Sequence, residues 1–236
     1  ETNIIHGSAT GMRNLAKCVE QVGVEVEGMV YVGVSNAESV LTDTERELGT
    51  LLIDIGGGTS EIAVISLGGI VSCGSVRIGG TRFDASIAEH IRRKYGLAIG
   101  DRSSEEVKIT VGSAMFMDKP ITMEVKGRDM ISGLPRTIPV TSDDTTEALQ
   151  HDLEGLVDAV KQVLHKTPPE LSADVMNKGI IMSGGSSQLR NLTELIAQTT
   201  GVACYLADEP LLCVAKGTGI ALKNLENYKR SVMATR

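Results

Sequence analysis

The stretch "LLIDIGGGTSEIAVIS", residues 51–66, joins two apolar runs through an Asp and three successive glycines. The runs predict two adjacent β-strands, over 50–55 and 61–67, because each is a short apolar segment bounded by turn residues. A simple hairpin turn needs only two residues, such as Asn-Gly or Asp-Gly. Three glycines allow backbone N–H groups to converge on one point, which suits phosphate oxygens. The stretch therefore indicates either a plain hairpin turn or a phosphate-binding turn, and the second explains the extra glycines.

Polar side chains flank the three glycines. Asp54 lies near the end of the first predicted strand, and a carboxylate there can hold Mg²⁺ through water, which Mg²⁺ prefers to keep. Thr59 and Ser60 follow the glycines and add hydroxyl donors. These residue types predict a turn that binds phosphate together with a metal ion.

Two further glycine turns lie in the second half of the chain. The first is "SGGSS", residues 183–187, between an apolar run and a helical pattern. Such a junction offers a helix N-terminus to a flat or anionic ligand, although close packing of strand and helix would need the same glycines. The second is "KGTG", residues 216–219, within or just before the last predicted helix. Because glycine weakens a helix, we expect these residues to allow the close approach of another element.

Composition predicts a soluble globular protein and excludes several functions. The 236 residues are enough for a sizeable core, with 42% hydrophobic and 22% charged residues. A net charge of −7 argues against broad binding of nucleic acid. Neither a Walker A loop nor a G-x-G-x-x-G fingerprint is present. The four cysteines and four histidines are dispersed, which predicts reduced thiols in the cytosol and no zinc site.

Strand and helix patterns alternate along the chain, which indicates α/β layers. The segment "GMVYVGVS", residues 28–35, is interpreted as a buried strand. The stretch 116–140 alternates and contains Gly-Leu-Pro, so we expect a small β region there. The strands around residues 50, 180 and 204 are instead continuous apolar runs, typical of a sheet covered on both faces. The small β region is therefore predicted to lie outside that sheet.

The three glycine motifs, taken in order, resemble those of the actin-like ATPase superfamily. "LLIDIGGGTSEIAVISLGGIV" resembles its second phosphate hairpin, "IIMSGGSSQLRNL" its adenosine motif and "DEPLLCVAKGTGIAL" its second connecting helix. Between them, "VRIGGTRFDASIAEHIRRKYGLAIG" and "KTPPELSADVMNKGIIMSGG" resemble the rod-shape MreB family. That resemblance covers residues 50–225, whereas residues 3–50 are more similar to the corresponding stretch of the division protein FtsA.

The resemblance implies an α/β fold of the actin-like (ribonuclease H-like) ATPase class, mainly its second lobe with an inserted small α+β subdomain. Residues 1–49 would form the tail end of the first lobe and a connecting helix. Residues 50–80 and 141–236 would form the nucleotide-binding subdomain of the second lobe, and residues 81–140 the inserted subdomain.

The resemblance also implies roles for individual residues. Asp54 would position Mg²⁺ and the attacking water, and Glu105 and Lys108, three apart on one helix face, would reach the ribose hydroxyls. Without the resemblance, that pair is interpreted as a solvated helical ion pair. The β- and γ-phosphates would be wrapped by the backbone of Gly56, Gly57, Gly58 and Thr59. The adenosine would be bordered by Gly184, Gly185, Ser186 and Gln188.

Two departures from the family pattern bear on whether the nucleotide site is complete and on which residue serves hydrolysis. Actin-like proteins carry a first phosphate loop near the N-terminus, whereas none precedes residue 50 here and the sequence starts at Glu1. We therefore expect either a piece of a longer protein or a site that is half built. MreB proteins also carry a Glu-Glu-Pro stretch whose second Glu orients the attacking water. The comparable stretch is "GVSNAES", in which Ser35 and Glu38 are the candidates, with Glu38 either a catalytic residue or a surface carboxylate.

Two functions of different classes follow from the resemblance. The first is a bacterial actin homologue that binds ATP or ADP with Mg²⁺, hydrolyses ATP slowly and polymerises head to tail into filaments for cell shape or cell division. The second is an ATP-binding scaffold, weakly or non-hydrolysing, that recruits division or envelope-synthesis proteins to the membrane. Both imply a cytoplasmic protein that meets the inner face of the membrane through a terminus outside this sequence. Neither implies a nucleic-acid partner.

Overall fold

The computed structural model describes residues 8–26 and 28–223, together with the backbone of residues 232–234. The helices are α1 (Ala9–Glu20), α2 (Val32–Val40), α3 (Asp43–Leu48), α4 (Gly80–Tyr95), α5 (Asp101–Val111), α6 (Ser142–Lys166), α7 (Pro169–Lys178), α8 (Leu192–Thr200) and α9 (Cys213–Lys223). The strands are β1 (Gly28–Val30), β2 (Thr50–Ile55), β3 (Ser60–Ser66), β4 (Gly69–Val76), β5 (Leu97–Ala98), β6 (Thr122–Asp129), β7 (Pro135–Thr141), β8 (Ile180–Ser183), β9 (Cys204–Leu206) and β10 (Val232–Ala234). A short 3-10 helix, Gly185–Gln188, follows β8.

The larger sheet has five strands in the order β4-β3-β2-β8-β9. Strand β2 pairs antiparallel with β3 and parallel with β8. This register places Asp54 beside Glu61 on one side and Ser183 on the other. The two strands predicted around the three glycines are confirmed as β2 and β3, and the second glycine turn follows β8 at the same edge of the sheet.

Alternate residues of β2 enter two different cores, because successive side chains of a strand point to opposite faces. Leu51 and Ile53 belong to the larger core, to which α6 also contributes. Leu52 belongs to a smaller core, together with Ala37 of helix α2 and Leu41, which directly follows that helix. A strand that is buried on both faces explains why β2 is a continuous apolar run.

A second sheet, β5-β6-β7, is separate from the larger sheet in the described part of the chain. This confirms that residues 116–140 lie outside the sheet that holds β2. The two sheets nevertheless share one core, in which Phe83 and Val125 join Leu51. The division of the chain into three units stays a prediction, and residues 1–7, 27, 224–231 and 235–236 of those units lie outside the described residues.

The segment 28–35 is not the buried strand that its apolar pattern predicts. Only Gly28–Val30 is a strand, and it is half-buried and paired antiparallel with Val232–Ala234. Helix α2 begins at Val32 and continues past the end of the segment. The prediction was wrong because packing against the rest of the fold overrides the β propensity of valine and tyrosine.

The last helix, α9, approaches α2 closely at a glycine. A Cβ added at Gly217 would lie 1.6 Å from the carbonyl oxygen of Ser35. Thr218 Oγ1 also donates a hydrogen bond to Ser35 Oγ, at 3.3 Å. The expected close approach at the 216–219 turn is therefore confirmed at Gly217, whereas a Cβ at Gly219 would have nothing within 4 Å.

The long helices begin and end at residues with clear capping roles. Helix α6, with 25 residues, begins with a capping box in which the side chains of Thr141 and Asp144 each accept a backbone N–H of the other. Helix α4 ends at Gly96, which adopts the left-handed conformation with φ 63°. Among the helices that the structure describes, none combines the length and apolar character needed to cross a membrane.

Candidate functional site

The three-glycine stretch forms the turn of the β2–β3 hairpin. The N–H of Gly56 donates a hydrogen bond to the carbonyl oxygen of Thr59, at 3.0 Å. The N–H of Gly56 is therefore used within the turn itself. The N–H groups of Gly57, Gly58 and Thr59 donate to no other backbone group among the described residues, so they are the donors that a phosphate would meet.

The N-terminus of helix α4 holds this turn in place. The N–H of Gly80 donates to the carbonyl oxygen of Gly56 at 3.0 Å, and the N–H of Thr81 donates to that of Gly57 at 2.8 Å. A Cβ added at Gly79 would lie 2.7 Å from the Gly56 oxygen, so only glycine fits there. The sequence analysis missed this junction, although a double glycine between a strand and a helix is the same signal that identified residues 184–185.

The second glycine turn contacts the first through its backbone and its serines. Gly184 has φ 86°, and an added Cβ there would lie 2.4 Å from the carbonyl oxygen of Ile55. Close packing against the end of β2 is therefore sufficient to explain Gly184. Ser186 Oγ donates a hydrogen bond to the carbonyl oxygen of Gly56 at 3.0 Å, and Ser183 Oγ donates to Asp54 Oδ1 at 3.0 Å.

A cavity of about 730 Å³ opens between the two turns and helix α5. Seven predicted site residues line it: Gly56, Gly57, Glu105, Lys108, Gly185, Ser186 and Gln188. The lining also includes residues that the sequence analysis did not select, among them Gly80, Thr81, Asp84, Arg190 and Leu211. Five predicted residues do not line it: Glu38, Asp54, Gly58, Thr59 and Gly184.

Lys108 forms its ion pair within the cavity wall and not along its own helix. Its Nζ lies 2.9 Å from Asp84 Oδ1 and donates a hydrogen bond to the carbonyl oxygen of Gly80 at 3.3 Å. The side chains of Lys108 and Asp84 are only 14% and 18% exposed. The interpretation of Glu105 and Lys108 as a solvated helical pair is therefore wrong for Lys108. The pair with Asp84 instead links α5 to α4 beside the hairpin turn.

The space around two of the turn glycines is open. A Cβ added at Gly57 would lie no closer than 4.0 Å to another atom, that of Thr81 Oγ1, and one at Gly58 would have nothing within 4 Å. Neither residue adopts a positive φ. Neither packing within the described chain nor backbone conformation therefore requires glycine at these two positions, and the close approach of a ligand would supply a reason.

Asp54 is the residue that would hold a metal ion at this site. It is half-buried at the carboxyl end of β2, and one carboxylate oxygen accepts the Ser183 hydroxyl at 3.0 Å. A single carboxylate beside a phosphate-binding turn fits Mg²⁺, which is commonly bound by one or two carboxylates, retained waters and phosphate oxygens. The residues present are thus compatible with Mg²⁺ bound partly through water.

The two candidates for orienting a water molecule, Ser35 and Glu38, lie away from the cavity lining. Glu38 Oε2 lies 2.6 Å from Arg46 Nη1, and the Glu38 side chain is only 9% exposed. Ser35 is buried at the contact between α2 and α9. The structure therefore places Glu38 in a largely buried ion pair between α2 and α3, and not on the surface.

Similarity to solved structures defines the class of protein. The crystal structure of MreB5 of Spiroplasma citri bound to ADP superimposes with a TM-score of 0.87 at 31% identity, covering 95% of this chain and 68% of that one. The MamK double helical filament superimposes with a TM-score of 0.75 at 18% identity, covering 94% and 66%. The chain has the actin-like α/β fold.

Sequence comparison narrows the class to a family. The model of the family described as MreB/Mbl protein matches residues 13–230, and the chain belongs to that family. Mbl of Bacillus subtilis is 45% identical over 182 residues, which are 77% of this chain and 55% of that protein. MreB of Escherichia coli is 45% identical over 180 residues, which are 76% and 52%. The chain thus spans about half the length of the curated relatives it matches.

Proposed function

We propose that this protein is an ATP-binding bacterial actin homologue that assembles into filaments for cell shape. The observation that carries the proposal is the cavity framed by two glycine turns. A hydrogen bond from Ser186 to the carbonyl oxygen of Gly56 joins one turn to the other. The structures of S. citri MreB5 were obtained with ADP and with AMPPNP, which supports an adenine nucleotide as the ligand. The cavity volume of about 730 Å³ falls within the range of small-molecule sites.

The nucleotide would be shared between the two turns. The phosphates would meet the N–H groups of residues 57–59, while the adenosine would lie against Gly185, Ser186 and Gln188. Glu105 is exposed on the cavity wall and is the better placed of the α5 pair to meet a ribose hydroxyl. Lys108 is already bound to Asp84, so its role would be to hold α4 and the turn in register as well as to contact the ligand.

Hydrolysis would depend on Asp54. When bound, Mg²⁺ would neutralise charge on the β- and γ-phosphates. Asp54 would hold the ion through water and orient the attacking water, and its carboxylate is fixed for this by the Ser183 hydroxyl. Glu38 remains the second candidate for orienting the water, but its ion pair with Arg46 favours a role in fixing α2 against α3.

How this protein assembles, and where it lies in the cell, is proposed from the descriptions of its relatives. Mbl and MreB are described as cell shape-determining proteins, and MamK forms a double helical filament. By analogy, copies of this protein would contact each other head to tail, since a contact of that kind propagates without closing. We propose a cytoplasmic protein whose filaments meet the inner face of the membrane and other shape or division proteins, but not nucleic acid.

A non-hydrolysing scaffold is the second candidate function. It is favoured by the placement of Ser35 and Glu38, because both are committed to packing or to an ion pair. The similarity of residues 3–50 to FtsA, a proposal from the sequence alone, would fit the same function. A scaffold would bind ATP in the same cavity and recruit partners without turning over the nucleotide.

Ultracentrifugation of the full-length protein with Mg²⁺ and ATP separates the two candidates. Filament assembly predicts that the protein pellets with ATP and stays in the supernatant without nucleotide. The 236-residue chain by itself is expected to stay monomeric or dimeric, because it spans only about half the length of its relatives. Full-length protein that never sediments, even with lipid vesicles and ATP, would favour the scaffold.

A further inference from the structure

A cluster of potential metal ligands lies between helices α4 and α6, outside the nucleotide cavity. His90 Nε2 is 3.5 Å from Glu147 Oε2 and 3.9 Å from Asp144 Oδ1. The ligand atoms of the three residues all lie within 4.8 Å of one another. The dispersal of cysteines and histidines along the sequence predicts no zinc site, but the packing of these two helices brings one histidine against two carboxylates.

The imidazole of His90 has a nitrogen that the described residues leave unsatisfied. Its Nε2 is buried without a hydrogen-bond partner, and the whole residue is only 8% exposed. Buried polar groups in folded proteins almost always have a partner, so an exception needs an explanation. A ligand placed between His90 and the two carboxylates would supply that partner.

Hydrogen bonds from Thr141 and Tyr95 orient the carboxylate of Asp144 toward His90. Its Oδ2 accepts hydrogen bonds from the N–H of Thr141 at 2.7 Å and from Thr141 Oγ1 at 2.8 Å. Its Oδ1 accepts the Tyr95 hydroxyl at 2.9 Å and faces His90. Outer contacts of this kind fix the direction in which a carboxylate faces a metal.

The ammonium group of Lys94 shows that the cluster stabilises a positive charge. Lys94 Nζ lies 2.8 Å from Asp144 Oδ1 and 2.9 Å from Glu147 Oε2. The Lys94 side chain is 42% exposed, so it has a path to solvent if another cation takes its place. The ammonium does not satisfy His90, whose Nε2 stays without a hydrogen bond.

We propose that His90, Asp144 and Glu147 bind a divalent transition metal such as Zn²⁺, and that Lys94 moves into solvent when the metal binds. One nitrogen and two carboxylate oxygens form a ligand set that suits Zn²⁺, with water as the fourth ligand, whereas Mg²⁺ and Ca²⁺ prefer oxygen ligands alone. Two ligands of a tetrahedral zinc ion are roughly 3.4 Å apart. The separations of 3.5 and 3.9 Å therefore need only a small adjustment of the side chains.

A metal at this position would tie the C-terminal half of α4 to the N-terminal part of α6. The opposite end of α4 holds the hairpin turn of the nucleotide cavity through Gly80 and Thr81. Binding to the folded state alone would raise the unfolding temperature as the metal concentration rises.

Zinc titration against a chromophoric chelator, with purified protein and matched variants, tests the proposal. His90→Gln should lower the affinity by at least about tenfold, because loss of even an outer partner commonly costs 10- to 100-fold. Glu147→Gln, on a side chain that is 45% exposed, provides a second variant that should fold whatever the effect at His90. Lys94→Gln should bind Zn²⁺ more tightly than the wild type, because the competing ammonium is gone.

The control is His151→Gln, which removes an exposed histidine of the same helix α6 and should leave the affinity unchanged. With Co²⁺ in place of Zn²⁺, the wild type should show visible d–d absorption without the thiolate charge-transfer band that binding at a cysteine would produce. Affinity unchanged in a folded His90→Gln or Glu147→Gln protein would overturn the proposal. A Lys94→Gln protein that binds no more tightly than the wild type would overturn it as well.

Discussion

The carbonyl oxygen of Gly56 accepts the hydroxyl of Ser186 at 3.0 Å, across a separation of 130 residues in sequence. The same oxygen accepts the N–H of Gly80 at 3.0 Å. One peptide group of the hairpin turn is therefore held by two other elements, the 3-10 helix after β8 and the N-terminus of α4. The position of the turn depends on both.

Removal of the Ser186 hydroxyl should loosen the hairpin turn. We expect Ser186→Ala to weaken ATP binding roughly three- to tenfold, since one hydrogen bond contributes about 1 kcal/mol. Isothermal titration calorimetry measures the change. Ser172→Ala serves as the control, because its hydroxyl bonds only the carbonyls of residues 167 and 168, outside the cavity. Equal affinity for ATP in the wild type, Ser186→Ala and Ser172→Ala would show that the turn does not need the hydrogen bond from Ser186.

Two glycines of α9 should respond to alanine in opposite directions. Gly217→Ala places a Cβ 1.6 Å from the Ser35 oxygen and should destabilise the protein by about 1–3 kcal/mol or more, since α2 has to move. Gly219→Ala meets nothing within 4 Å and should stabilise it by up to about 1 kcal/mol, because alanine favours the helix. Urea denaturation of both variants measures this. Destabilisation of similar size in both would contradict the close contact between α2 and α9.

The hairpin of the small sheet should lose stability in acid. The N–H groups of Ser132 and Ile131 donate to Asp129 Oδ1 at 2.8 and 3.0 Å, and these hydrogen bonds, with Arg136, hold the pKa of Asp129 below its usual value. Because the pKa is lower in the folded state, the stabilisation is complete above the unfolded value of about 3.9 and is lost as the pH falls through the folded value.

Asp129→Asn removes this titration while keeping an oxygen acceptor. We expect thermal unfolding of the variant to depend less steeply on pH below about 4 than that of the wild type. Asp118→Asn, on an exposed residue, is the matched control for removing one carboxylate from the protein. Identical pH profiles for wild type and Asp129→Asn would show that the folded hairpin does not prefer the ionised form.

Asp54 should matter more for hydrolysis than for nucleotide binding. We expect Asp54→Ala to lower the Mg²⁺-dependent ATPase rate strongly, while affinity for ATP measured without Mg²⁺ changes little, because the proposed partner of Asp54 is the metal and its water. A coupled phosphate-release assay measures the rate. Ser183→Ala should have a smaller effect in the same direction, since the Ser183 hydroxyl only orients the carboxylate of Asp54. Equal rates in wild type and Asp54→Ala at saturating Mg²⁺-ATP would rule out this role.

The parts of the fold that depend on local patterns were predictable from the sequence. The hairpin of residues 50–66 was found because apolar runs and turn glycines lie next to each other in the chain. The separate small sheet was found because its strands alternate and are interrupted by Gly-Leu-Pro. Residues 32–35 were predicted as strand although they begin the helix Val32–Val40, because that helix packs against α9, which no local pattern reveals.

The parts of the site that depend on distant pairs were not predictable. Lys108 pairs with Asp84 and Glu38 with Arg46, and both partners are set by how helices pack. For the same reason, dispersed sequence positions hid the cluster of His90 with Asp144 and Glu147. Gly79 and Gly80 instead carried a readable local signal, a double glycine at a strand–helix junction, like that of Gly184 and Gly185.

We propose that the turn of residues 56–59 binds the phosphates of a nucleotide, and Gly57→Val tests this proposal most directly. A Cβ at this position meets no atom closer than 4.0 Å, so a side chain has room there and we expect the variant to fold. Gly100→Val is the control, because Gly100 also has nothing within 4 Å and does not line the cavity.

Calorimetric titration of ATP into the wild type, Gly57→Val and Gly100→Val measures the affinity of each protein for ATP. We expect Gly57→Val to weaken ATP binding by at least tenfold, about 1.4 kcal/mol, while Gly100→Val binds as the wild type does. The valine would occupy the space that the phosphates need. Unchanged affinity in a folded Gly57→Val protein would contradict the claim that this turn is the phosphate site.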